Sequence, residues 1–232
     1  MNVELIKSFQ FEAAHANPRG SDAARRLHGH SYRVEIAVRG ECDPRLAWLI
    51  DYAEISERFS PCFNLLDHRL LNDVDGLADV SLPGVQEWID RRLRLAIPLL
   101  SGVKVSIVGE CEYRLKPVTR DEFLGAPERL AFGFEAAHYL PELPDSHKCR
   151  RMHGHSFRAE VGAGDLDRVA PILRVLYDEL DHRCLNDIPG LDNPTSESLA
   201  SWIWDRLSAS IDDLACVVVA ETCTARCVYR GG

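Results

Sequence analysis

The sequence predicts an α+β protein in which one module, an antiparallel sheet with two helices, is written twice. Three observations predict it. Five blocks recur in one order along the 232 residues. Alternating apolar positions open each copy, and a helical i, i+3, i+4, i+8 stripe follows later in each. The recurring blocks are Ser8 to Pro18 with Ala131 to Pro141, Ala24 to Tyr32 with Cys149 to Phe157, and Leu65 to Asp73 with Glu179 to Asp187, followed by Val85 to Leu93 with Leu199 to Leu207 and by closing strands ending at Tyr113 and Tyr229. Repetition at this spacing means duplication. The copies are expected over residues 1–119 and 127–232, with Lys116 to Arg129 as linker, since it carries Pro117, Pro127 and Gly125.

Each element follows from its pattern. In "FQFEAAH", Phe9, Phe11, Ala13 and His15 alternate onto one face, and "HGHSYRVEIAV" continues the alternation as a second strand, so the two read as a hairpin. Val85, Trp88, Ile89, Arg92 and Leu93 form the packed stripe of a helix, as do Leu199, Trp202, Ile203, Arg206 and Leu207. "NPTSESLA" starts the second of these, with Pro194, Thr195 and Glu197 at its first turn. The unit is two strands, a helix, a second helix and a final strand.

Composition excludes several classes. A net charge of -9 disfavours nucleic acid, which is held by clustered Lys and Arg. No apolar run is long enough to span a bilayer, and the N-terminal stretch lacks the basic start and apolar core of a secretory signal. The expected location is therefore cytoplasmic. Eight cysteines, Cys42, Cys62, Cys111, Cys149, Cys184, Cys216, Cys223 and Cys227, show no disulfide framework and read as reduced thiols.

Histidine is where the repeat becomes chemical. Residues i and i+2 of a strand share a face, so His28 and His30 point together, as do His153 and His155. His15 and His138 end the preceding strands, where antiparallel pairing sets each beside its pair. Three converging imidazoles suit Zn²⁺ and leave a coordination position for water or substrate, the pattern of a catalytic site. A single histidine is usually a surface or satisfied core residue. Of nine histidines, however, eight occupy matching positions in the copies and His147 alone is unmatched.

"FEAAHYLPELPDSHKCRRMHGHSF", "LDHRCLNDIPGLDNPTSE" and "ETCTARCVYRG" resemble the 6-pyruvoyl-tetrahydropterin synthase family, and within it most nearly the bacterial 6-carboxy-tetrahydropterin synthase branch of the queuosine (7-deazaguanine) pathway. The resemblance covers essentially the whole second half and, more weakly, the first. It implies the T-fold, an antiparallel four-stranded sheet with two helices per repeat, assembled into barrels. It also implies 7,8-dihydroneopterin triphosphate as substrate and Zn²⁺ held by His138, His153 and His155. By the same resemblance Cys149 is the proton-abstracting base, its pKa lowered by the cations around it, and Asp181 with His182 forms the second acid–base pair. Glu221 is the pterin anchor, accepting two parallel hydrogen bonds; from the residues alone it would be an ordinary strand glutamate. Thr195, Arg150 and Arg151 are substrate-binding candidates, though a short basic run is also often just solvated. Cys223 and Cys227 read as packing residues.

The copies depart from the family pattern differently. Ala24 stands where the second copy has Cys149, Ile107 where it has Glu221, and "SLPG" where it has "PTSE". The first copy keeps the triad His15, His28 and His30, a further metal site, but lacks the base and the anchor. Asp165 is ten positions on from His155, against twenty-one from His30 to Asp51, which reads as a shortened hairpin and a truncated second sheet. The expectation is a composite assembly in which the first repeat plays the neighbouring subunit and lends Asp67 and His68 to a pocket centred on Cys149. The leading function is a zinc lyase releasing 6-carboxy-tetrahydropterin, acetaldehyde and triphosphate. The alternatives are 6-pyruvoyl-tetrahydropterin synthesis by triphosphate elimination, or a non-catalytic zinc-stabilised pterin-binding protein. The family's hexamers contain six modules, so the resemblance implies a homo-oligomer that three tandem chains would match.

Overall fold

The computed structural model describes residues 1–109, 112–222 and 224–232, so Cys111 and Cys223 lie outside the described residues. Strands β1 (Asn2–His15) and β2 (His28–Glu41) pair antiparallel along their whole length and are followed by helix α1 (Tyr52–Leu66), strand β3 (Arg69–Leu70), helix α2 (Leu82–Ala96) and strand β4 (Leu100–Ile107). The second repeat has β5 (Lys116–Val118), β6 (Arg129–His138), β7 (His153–Ala163), α3 (Leu166–Leu180), β8 (Arg183–Cys184), α4 (Ser196–Ser208), β9 (Leu214–Thr222) and β10 (Ala225–Tyr229). The first sheet runs β3-β1-β2-β4 and the second β10-β9-β7-β6-β5, with β8 also on β6. This is the tandem α+β architecture the repeats predict. Among the described residues no helix is long and apolar enough to cross a membrane.

The second sheet is wider than expected, not truncated. Lys116–Val118, within the expected linker, pairs with β6, and β10 folds back onto β9. Pro117 is compatible with β5 because an edge strand can leave one N–H position unpaired. The missing residues fall elsewhere: β7 is shorter than β2, and two residues rather than ten join it to its helix. The shortening is in a strand-to-helix connection and leaves the sheet intact.

Local chemistry repeats as faithfully as the topology. Asp51, Ser81, Asp165 and Thr195 cap the N-termini of α1, α2, α3 and α4, each side chain accepting a backbone N–H of the first turn. The indoles of Trp88 and Trp202 donate to the carbonyls of Asp75 and Pro189, under the guanidinium groups of Arg92 and Arg206. Across the hairpins, Phe11 stacks on Tyr32 and Phe134 on Phe157. Each repeat buries its own apolar cluster between its helices and one face of its sheet, and burial of this kind supplies the main driving force.

The repeats meet where their histidine strands cross. A Cβ built on Gly29 would stand 2.3 Å from the Cα of Gly154, and one on Gly154 would stand 2.4 Å from the Cα of Gly29. The glycine between the two histidines of each HGH is therefore the contact point of the two halves, because no larger residue permits so close a backbone approach.

Candidate active site

Strand register builds the triads. His15 lies opposite His28 and Ala13 opposite His30; His138 lies opposite His153 and Ala136 opposite His155. In the second triad, His138 Nδ1 donates to the carbonyl of Pro194 at 2.9 Å and His153 Nδ1 to that of Arg151 at 2.7 Å. In the first, His15 Nδ1 donates to Val80 at 2.9 Å and His28 Nδ1 to Arg26 at 2.7 Å. A carbonyl can only accept, so these bonds place the proton on Nδ1 and leave Nε2 with its lone pair. The Nε2 atoms of His138, His153 and His155 are buried and make no aligned hydrogen bond. Buried, bare nitrogens that converge are what a divalent cation requires, and the donor set fits one. The donor atoms of His15, His28 and His30 likewise lie within 4.8 Å of one another, as do those of His138, His153, His155 and Glu221.

The Asp–His pairs are exchanged between the repeats. The His68 ring packs on His153 with centroids 4.5 Å apart, and the His182 ring packs on His28 at 4.3 Å. Asp181 and His182, expected beside Cys149, thus stand at the first triad, while Asp67 and His68 stand at the second. The reason is the crossing of the HGH strands, which turns each repeat's outer edge toward the other repeat's histidines. His68 Nδ1 donates to Asp67 Oδ1 at 2.9 Å and His182 Nδ1 to Asp181 Oδ2 at 2.6 Å. Both histidines have left-handed backbones, with φ of 53° and 52°, a conformation uncommon for residues other than glycine and costing about 1–2 kcal/mol. Backbone bonds to the carbonyls of Glu12 and Glu135 hold them there.

Around the second triad the predicted residues separate into two groups. Cys149 joins His68 and His153 in a set of donor atoms within 4.8 Å of one another. Lys148 reaches Asp67 at 3.4 Å, and Arg151 donates to the His68 carbonyl at 3.0 Å, so the basic run fastens the borrowed pair. Arg150 is engaged in its own loop, with the carbonyls of Pro141 and Leu143 and the carboxylate of Asp145. Thr195 serves as the cap of α4. Glu221 Oε1 lies 3.2 Å from His138 Nε2 and 3.1 Å from His155 Nε2, and Ser196 donates to its other oxygen at 3.1 Å.

Electrostatics differ between the centres. In the first, burial and then neighbouring imidazoles depress His15 to about 4, His28 to about 2 and His30 to about 3, so all three are neutral at pH 7. In the second, burial likewise lowers His138 and His153. Burial also works against protonation of His155, but the carboxylates of Glu12 and Glu221 outweigh it and raise the ring to about 9. Glu221, pushed up by burial, is held well below the usual carboxylate range by His138 and His155. The Cys149 thiol is raised, not lowered: burial is the chief cause and Glu221 and Asp67 add to it, against smaller opposing effects of Lys148 and Arg151. The protein's own cations do not activate it.

One polar residue near the site was passed over in the sequence as a helix-start signal. Glu197, exposed in the first turn of α4, follows Ser196, which contacts Glu221. With the caps Ser81 and Thr195 aligned, the first repeat has Pro83 in its place, a shift of one residue from the pairing of "SLPG" with "PTSE".

Comparison with known proteins agrees with this geometry. A 40% identical relative, over 116 residues covering 42% of this chain and 88% of its own, is the 6-carboxy-5,6,7,8-tetrahydropterin synthase of Synechocystis sp.. The Bacillus subtilis protein of the same name is 32% identical over 41% of this chain and 78% of its own. The dihydroneopterin monophosphate aldolase of Pyrococcus furiosus is 28% identical over 42% and 81%. The family model described as 6-pyruvoyl tetrahydropterin synthase matches twice, at residues 4–113 and 129–232, and the chain belongs to that family.

Proposed function

We propose that the chain is a zinc-dependent lyase that converts 7,8-dihydroneopterin triphosphate and water to 6-carboxy-5,6,7,8-tetrahydropterin, acetaldehyde and triphosphate, the pterin-forming step of queuosine biosynthesis. One observation carries this reading. Among the described residues a thiol, an aspartate-backed imidazole and a histidine triad converge at the second centre alone, and the imidazole comes from the repeat with alanine in place of that thiol. The names of the two 6-carboxy-tetrahydropterin synthase relatives support the product.

His138, His153 and His155 would hold the metal, and His15, His28 and His30 a second one. Bound at the second triad, zinc supplies Lewis acidity toward the substrate's side-chain oxygens, which acidifies the adjoining C–H bonds. Cys149 is the base for a carbon-bound proton, and His68, oriented by Asp67, gives and takes protons on the other side. Asp181 and His182 have no thiol to work with at the first centre, where Ala24 replaces it.

Glu221, against the triad, is the carboxylate that would accept two parallel N–H bonds from the pterin edge. Lys148 and Arg151 place positive charge at the mouth and favour an anionic triphosphate. Among the described residues the sheets end at β3, β4, β5 and β10, and such edges support a homo-oligomer closed through strand edges, three tandem chains making six modules.

The test is mass spectrometry of products after zinc-loaded protein meets 7,8-dihydroneopterin triphosphate, beside Cys149→Ala. Carboxy product and acetaldehyde from the parent, and neither from the variant, support the reading. A pyruvoyl product reassigns the reaction to triphosphate elimination. Unchanged substrate in both samples refutes the enzyme and leaves a metal-held pterin-binding scaffold.

A further inference from the structure

The third histidine of each triad is held differently from the other two. His155 Nδ1 donates to Glu12 Oε2 at 2.9 Å, and His30 Nδ1 donates to Glu135 Oε2 at 2.7 Å. Each of these carboxylates comes from the opposite repeat. Both are buried, at 8% and 1% exposure, and each is fixed by a serine of its own repeat: Ser31 Oγ donates to Glu12 and Ser156 Oγ to Glu135, both at 2.6 Å. The serines are tied to each other across the boundary, the Ser31 N–H to Ser156 Oγ at 3.1 Å and the Ser156 N–H to Ser31 Oγ at 3.2 Å. The result is a continuous hydrogen-bonded path from one triad to the other.

A backbone carbonyl orients an imidazole but carries no full charge. A carboxylate on Nδ1 orients it, fixes its tautomer and makes Nε2 a stronger donor to a cation. Among the described residues one histidine in each triad has such support on Nδ1, and in both cases it is borrowed. We propose that Glu12 is a positioning residue for the metal centre of the second repeat, and Glu135 for that of the first, so that the thiol-less repeat supplies part of the outer support of the other's cation as well as its acid–base pair. This rests on the metal reading of the triads.

The test uses cobalt(II) as probe, its affinity measured by chelator competition and its environment by visible d–d absorption. Glu12→Gln keeps the volume and an acceptor oxygen but removes the charge; Glu12→Ala removes both. In a His28→Ala background, where the second triad is the intact one, Glu12→Gln is expected to weaken cobalt binding about 10–100-fold and to shift the absorption bands, with Glu12→Ala weaker still. In a His153→Ala background, where the first is intact, Glu12→Gln is expected to leave affinity unchanged and Glu135→Gln to weaken it. Equal weakening by Glu12→Gln in both backgrounds would mean a packing role, and no weakening in either would mean no role; each overturns the proposal. Failure of the His28→Ala parent itself to bind cobalt overturns the metal reading beneath it, and the proposal falls with it.

Discussion

Gly154→Ala probes the crossing of the two repeats directly. The new methyl would stand 2.4 Å from the Cα of Gly29 and 2.6 Å from the carbonyl oxygen of Ala136, where ordinary contact begins at 3.4 Å. Both obstacles are backbone, so no side chain can swing away, and the strands must part by at least about 1 Å. Overpacking of this kind costs about 1–3 kcal/mol. Parting also stretches the two Ser31–Ser156 bonds and the His30–Glu135 and His155–Glu12 bonds. If half of these are lost at ~1 kcal/mol each, the total is about 3–5 kcal/mol, or roughly 10 °C in Tm for a chain of this size. Differential scanning calorimetry measures it, with Gly102→Ala as control because nothing lies within 4 Å of a Cβ there. A Gly154→Ala protein that melts with its parent refutes the close approach and the exchange of Asp–His pairs that depends on it.

The exchanged pairs make a further prediction. His68→Ala should lower product formation by about 10²–10⁴-fold, while His182→Ala keeps the parent rate; the reverse order, read by the same product assay, refutes the crossed assignment. In metal-free protein, iodoacetamide should alkylate Cys149 slowly at pH 7 and faster as pH rises through 9, because burial favours the thiol over the thiolate; peptide mass spectrometry showing rapid labelling at pH 7 refutes this. Arg129, 2% exposed, donates to Glu160 at 2.7 Å, and Arg158 pairs with the other oxygen of Glu160 at 2.9 Å, so Arg129→Met should cost less in a denaturant titration than the about 3–5 kcal/mol of a fully stranded buried charge, with Glu160→Met added to it recovering part of the loss.

The two triads were legible because strand geometry is local: His28 and His30 must share a face, and a hairpin must bring His15 to them. The missing thiol and the altered helix start were legible as Ala24 and "SLPG". The second sheet's outer strands were not, since Lys116–Val118 is three residues with a proline at its centre and looks like linker until a neighbouring edge is present to pair with it. The partner of each Asp–His pair was a question of how whole repeats dock, settled by two glycines that carry no chemistry of their own. The contact of Glu221 with the triad was not legible either, because it depends on where β9 ends relative to β7, a register no local pattern contains. The raised Cys149 pKa came from burial and two acids that are distant in sequence.

The exchange of Asp–His pairs crosses the map of mutational tolerance. On the proposed reaction, alanine at position 24 of the first repeat releases from catalytic duty not its own Asp67 and His68 but Asp181 and His182, more than a hundred residues downstream. A saturation scan of the chain should therefore divide each half against itself: positions 67 and 68 as intolerant as 149, and positions 181 and 182 free to vary to the extent that folding allows. Which half looks dispensable would depend on which residue was asked, and neither half could be trimmed away as a spare.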